Sequence, residues 1–256
     1  MYEKPPFLAG NRFVVQGIFL ILLLLAGLTI IPTLFSALGL TLFQTLNTEE
    51  MPLWFLRINL LVFQVSAFLL PALIFSYSVE NNWFYFSKSN FGITQKQWII
   101  VTITLLLLLP LISLLAQFNQ NIVFPENWQA LETWFRAFEA KNNALVERMI
   151  SLPLHLSVWL NLFFMAILPA ICEEFFFRGT LQPYLLKYLK YPLWAILVTA
   201  FIFSTFHLDF FGFIPRFVLG IYLGILVYYT KSLWGAVWAH FLNNSIALFM
   251  QYYDVI

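Results

Sequence analysis

An all-α fold with about seven membrane-crossing helices is what this sequence predicts, on three observations. The chain of 256 residues is 61% hydrophobic and only 10% charged, where a soluble globular chain carries about 25% charged residues. A soluble domain of this length still needs a polar skin, so the missing charge means apolar surface that faces lipid. The apolar residues also fall into runs close to the roughly 20 that span a bilayer. Finally, the most polar stretch is a single loop, residues 118–150.

The spans expected from the apolar runs are 14–40, 53–78, 98–117, 155–176, 192–208, 213–230 and 233–250, within an overall range of six to eight. The first run far exceeds the roughly 7–15-residue core of a signal peptide and no small-x-small site follows it, so it is expected to be a retained helix. No lipidation motif is evident. The last three runs are short and closely spaced, which favours one compact bundle. In the polar loop, Trp128, Leu131, Phe135, Phe138 and Leu145 recur at helical spacing, with Glu132, Arg136, Glu139 and Lys141 between them. An amphipathic helix lying at the membrane interface, around 126–148, fits that pattern, as does a solvated helical loop. The whole of 1–256 reads as one membrane domain without internal repeats.

Lys and Arg set the orientation. With the N-terminus inside, Lys4, Arg12, Lys88, Lys96, Arg178, Lys187, Lys190 and Lys231 fall on inner segments, and only Arg136, Lys141, Arg148 and Arg216 on outer ones. A bacterial cytoplasmic membrane protein with its N-terminus inside is expected. The net charge of +1 gives no basic patch, so a nucleic-acid partner is not expected. The single cysteine, Cys172, excludes an internal disulfide and a multi-cysteine zinc site. As a nucleophile it would need an activating base, and the adjacent glutamates oppose thiolate formation.

Ionisable groups at bilayer depth are costly and are functional candidates by default. In the second half these and their polar neighbours are Glu173, Glu174, Arg178, His207, Asp209, His240, Asn243 and Asn244. Glu174 and Arg178 are i and i+4, an order that favours an ion pair on one helix face. Glu173 is rotated about 100° away, at 3.6 residues per turn. The division of labour that follows has Glu174 neutralise Arg178 while Glu173 faces a cavity, where a carboxylate suits a general base. Both glutamates would instead face water if the fourth span ended there, but Phe175, Phe176, Phe177, Leu181, Leu185 and Leu186 continue the apolar run. His207 taken alone also fits a satisfied structural histidine. His240 and Asn244 share a helix face, suited either to two groups aimed at one locus or to bridging helices. Of the three histidines, His155 sits at a span entrance and is assigned no role. Arg57 is expected to snorkel to the interface or to pair with an acid, and Asp209 to lie at a helix end or to orient His207. One tension remains in the spacing: on antiparallel spans Glu173 and His207 fall at opposite sides, unless both helices extend, the first to Leu186 and the second to Ile214.

Taken together, Glu173-Glu174-x-x-x-Arg178, Phe203-x-x-x-His207 and His240-x-x-x-Asn244 resemble the three signatures of the CAAX protease and bacteriocin-processing family, also called CPBP or Abi. That family includes the Ras-converting type of prenyl-protein protease. The order and the placement on hydrophobic segments match, over a helical core at roughly 155–250. The resemblance implies an intramembrane endopeptidase acting on membrane-associated or lipidated substrates. By it, Glu173 and His207 activate a water, His240 and Asn244 hold the oxyanion, and Glu174 and Arg178 support the site. The expected partners are membrane lipid and a protein or peptide, prenylated or a leader-peptide precursor. No cofactor is expected, because Asn is a poor zinc ligand and no HExxH helix is present; a zinc-dependent variant would use Glu173, His207 and His240 with an exchangeable water. The competing readings are a non-catalytic immunity or scaffold member of the same family and a small transporter using Glu173 and His207 as a proton relay. The inverted repeats common in such transporters are not visible.

Overall fold

The computed structural model describes residues 7–8, 13–45, 50–81, 92–150 and 154–255, and among these every regular element is helical. There are eight helices: α1 Phe13–Phe43, α2 Leu53–Glu80, α3 Gln95–Gln120, α4 Gln129–Ile150, α5 at 154–188, α6 Pro192–Thr205, α7 Phe213–Thr230 and α8 Trp234–Val255. Of these, α1, α2, α3, the Val158–Tyr188 portion of α5, and α7 are long and apolar enough to cross a membrane. Their outward residues, such as Leu22, Leu34, Leu107 and Leu114, are exposed apolar side chains, as a lipid-facing surface requires. α8 has 22 residues, enough to cross, but its apolar run is interrupted by His240, Asn243 and Asn244. Lys4, Arg12 and Lys88, on which the expected orientation partly rests, lie outside the described residues, as does the side chain of His155.

Proline spacing explains the shape of α2 and α5. Each contains widened, π-type turns: Val65–Leu69 in α2, and Leu162–Ile167 and Phe177–Leu181 in α5. A proline follows each one, at Pro71, Pro169 and Pro183. A proline lacks its N–H and crowds the carbonyl four residues back. Those carbonyls belong to Ala67, Met165 and Gly179, one inside each widened turn. The Leu168–Phe176 segment that carries both glutamates is therefore bracketed by two such turns, a feature frequent at functional sites.

α5 runs on to Tyr188, well past the expected end at 176, so Glu173 and Glu174 lie near its middle. α6 starts at Pro192 and doubles back, but it has only 14 residues, about 21 Å of helix. It stops at Thr205 rather than continuing through His207. One helix extends and the other does not, and the combination brings residue 207 back toward the level of Glu173. α7 packs closely on α6: a Cβ at Gly220 would lie 3.0 Å from Cβ and 3.1 Å from Cα of Ala200.

The polar loop forms a turn at Glu126–Trp128 followed by α4. Arg136 anchors α4 to the end of α3, donating to the side-chain and main-chain oxygens of Gln120 at 2.9 and 2.8 Å. The same guanidinium lies 3.3 Å over the Phe211 ring, and Phe135 packs on Phe210. The amphipathic helix is thus seated against the 206–212 turn that carries His207.

Candidate active site

The polar centre is built on the middle of α5. Glu174 and Arg178 form the ion pair expected from their spacing, with Nη1 donating to Oε1 at 2.7 Å and both side chains fully buried. The second guanidinium nitrogen donates to the Gly220 carbonyl of α7 at 3.0 Å, and the Arg178 Cζ lies 4.4 Å over the Phe203 ring. One turn on, Gln182 repeats the contact with the Gly224 carbonyl at 3.0 Å. Paired donors on α5 therefore meet paired glycine carbonyls on α7, where the absent Cβ lets the two helices approach.

The same Glu174 Oε1 lies 2.9 Å from Nδ1 of His240 on α8. Since a carboxylate only accepts hydrogen bonds, Nδ1 is the donor and Nε2 is turned away from Glu174. Glu174 therefore does more than neutralise Arg178: it fixes the orientation of a candidate site histidine on another helix.

Glu173 is 6% exposed. Its Oε1 accepts from Nε2 of Gln64 on α2 at 3.0 Å, and its Oε2 is buried without a hydrogen-bond partner. One carboxylate oxygen is held and the other is left for an incoming donor.

His207 lies in the turn after α6. Its Nδ1 is 2.9 Å from the Phe203 carbonyl; a carbonyl can only accept, so Nδ1 carries the hydrogen and Nε2 is left free. The Phe203 ring stands edge-on to both histidines, with centroids 5.1 Å from His207 and 5.7 Å from His240. His207 is within electrostatic reach of Glu173, Arg216 and His240. The turn is fastened from α3 by Asn119, which donates to the Phe210 carbonyl at 3.0 Å and accepts from the Ile214 N–H at 2.7 Å. Within it Leu208 takes a left-handed backbone, φ 51°, and Asp209 pairs with Arg216 and accepts from the Gly212 N–H. Asp209 thus belongs to the turn and the start of α7, and among the described contacts it makes none with His207.

Asn244 lies one turn beyond His240 on the same face of α8 and is half-buried. Its Oδ1 faces Nδ2 of Asn243 at 3.4 Å. Cys172 is a buried free thiol. Arg57 neither snorkels nor meets an acid: it is 7% exposed and donates to Oδ1 of Asn161 at 3.1 Å. Asn161 in turn donates to the Met149 carbonyl at 2.8 Å and the Tyr252 hydroxyl at 2.7 Å. This is a second polar cluster, apart from the glutamates.

Among the described residues no three His, Cys, Asp or Glu side chains are grouped so as to hold a metal ion, and Glu173, His207 and His240 do not form such a set. Four polar residues of the framework were not anticipated: Gln64, Asn119, Asn161 and Gln182. Each is a lone amide in an apolar run, a signal as plain as that of the ionisable groups.

Residues 155–246 match the family model described as Type II CAAX prenyl endopeptidase Rce1-like. The matched segment contains all three motifs and accords with the resemblance read from them. No curated protein and no solved structure matches the chain. With its five long apolar helices and this family match, the chain is an integral membrane protein.

Proposed function

We propose, on the premise that residues 155–246 match the Rce1-like prenyl endopeptidases, that this protein hydrolyses a peptide bond of a membrane-associated or prenylated substrate with a water activated by Glu173 and His207. The observation that carries the proposal is the unpartnered, buried Oε2 of Glu173, on a carboxylate whose other oxygen is held by Gln64. An acceptor left bare inside a protein is costly, about 1–3 kcal/mol, unless a donor arrives with the reactants.

In this reading the water oxygen bonds to the scissile carbonyl carbon as Glu173 Oε2 takes a proton from it. The free Nε2 of His207 accepts the second hydrogen of that water. The carbonyl π pair moves to its oxygen, which becomes the oxyanion. His240, doubly protonated and held through Nδ1 by Glu174, offers Nε2–H to that oxygen, and Asn244 offers its amide; preorganised donors of this kind are often the largest catalytic contribution. When the tetrahedral species collapses, the C–N bond breaks and the leaving amine takes the proton from Glu173. No step is routed through a metal. The N-terminus is placed on the cytoplasmic side, in a bacterial membrane, by the Lys and Arg bias. Mass spectrometry of a farnesylated CAAX peptide after incubation with purified protein tests the activity: one new carboxyl terminus at a single bond supports it, and an intact peptide panel that includes leader-type sequences counts against it.

A further inference from the structure

We infer that Gln64 is a positioning residue for the Glu173 carboxylate, supplied by the half of the chain that the family model does not cover; this rests on Glu173 being the base. Gln64 is the last residue of α2 before its first widened turn. It lies four residues before Phe68, so both face α5, and the Phe68 ring packs on Phe176 and Phe177 at 5.9 and 5.6 Å. That packing sets the distance at which the amide meets Glu173.

The hydrogen bond has a defined direction. An ionised carboxylate only accepts, so the NH2 of the amide must face Glu173, as it does at 3.0 Å. It is the one side-chain hydrogen bond Gln64 makes among the described residues, and its Oε1 is buried without a partner. Nothing else holds the amide in place, so its placement serves Glu173. A terminal carboxylate torsion is broad when left alone. Tying Oε1 to α2 removes that freedom and presents Oε2 to the reacting water. The short segment between two proline-widened turns fixes where Glu173 starts, and Gln64 fixes where its carboxylate ends.

The test uses the full-length purified protein and two variants, Q64M, close in size but without a donor, and Q64N, a donor too short to reach. The first readout needs no substrate: the infrared carboxylate band of Glu173, identified as the one absent from E173Q, is expected to shift in both variants. The second is cleavage of a fluorescence-quenched farnesylated CAAX peptide, where kcat is expected to fall about 10–100-fold, the effect of one hydrogen bond to a charged group, with KM within about threefold. A Glu173 band unmoved in both variants overturns the inference, as does wild-type kcat in both while E173A is inactive. Full activity in E173A instead overturns the reading of Glu173 as the base and leaves the infrared result to stand alone.

Discussion

Nδ1 of His240 lies 2.9 Å from Oε1 of Glu174, the oxygen that also receives Arg178 at 2.7 Å. One buried carboxylate therefore ties α5 to α8 and, through Arg178, to the Gly220 carbonyl of α7. Charge neutralisation and the aiming of a site histidine are vested in the same atom, so they can be separated only by changing more than one residue.

Replacing Glu174 by Ala leaves Arg178 buried without a counter-charge. The expected loss is about 3–5 kcal/mol of stability, read as a lower unfolding transition in detergent. The double variant E174M/R178M removes both charges and is expected to regain most of that loss, since apolar replacement of a buried pair is often neutral or better. It should remain inactive, because His240 no longer has its Nδ1 acceptor. Recovery of activity along with stability would show that the carboxylate serves Arg178 alone.

Asn119→Ala removes both bonds that fasten the His207 turn to α3. A loss of about 2 kcal/mol is expected for two buried backbone groups left without partners, together with a fall in kcat as His207 is released. Asn119→Asp keeps the acceptor for the Ile214 N–H and should lie between the two. Denaturant unfolding and steady-state kinetics on the three proteins check the order.

Gly220→Ala sets two effects against each other. Alanine is the better helix former by about 1 kcal/mol, but the added methyl meets Ala200 at 3.0 and 3.1 Å, and overpacking costs about 1–3 kcal/mol. Because one of those atoms is the Ala200 Cα, which cannot swing aside, destabilisation is expected to win. Adding Ala200→Gly to the same chain should restore the melting temperature.

Asn161→Leu strips Arg57 of the acceptor it uses at 3.1 Å and frees the Tyr252 hydroxyl. A loss of about 3–5 kcal/mol is expected, as for any buried charge left uncompensated. Arg57→Met in the same background should recover part of it. Because this cluster is separate from the glutamates, the kcat of whatever protein folds should be close to wild type.

How much of this was legible in the sequence depends on the kind of signal. The Glu174–Arg178 pair follows from helix spacing alone, and His207, His240 and Asn244 were marked by polarity in apolar runs. The partner of His240 was not legible, because nothing local says that an acid on α5 meets an imidazole 66 positions later. Gln64 and Asn119 were passed over because the survey of polar groups was confined to the second half of the chain and to groups with obvious chemistry, although a buried amide must also find partners. The boundaries of α5 and α6 erred in opposite senses. Apolar character does not separate a long helix bent by prolines from a helix, a turn and another helix, so the continuation to Tyr188 and the stop at Thr205 both needed tertiary contacts to settle.

The most direct test of the central claim compares cleavage of a farnesylated CAAX peptide by wild type, E173A and H207A, each with and without a strong chelator. Glu173 and His207 as activators of the attacking water predict cleavage by wild type that survives chelation and falls by at least about 100-fold in both variants, as the loss of a general base requires. Wild-type rates in folded E173A and H207A would contradict the account.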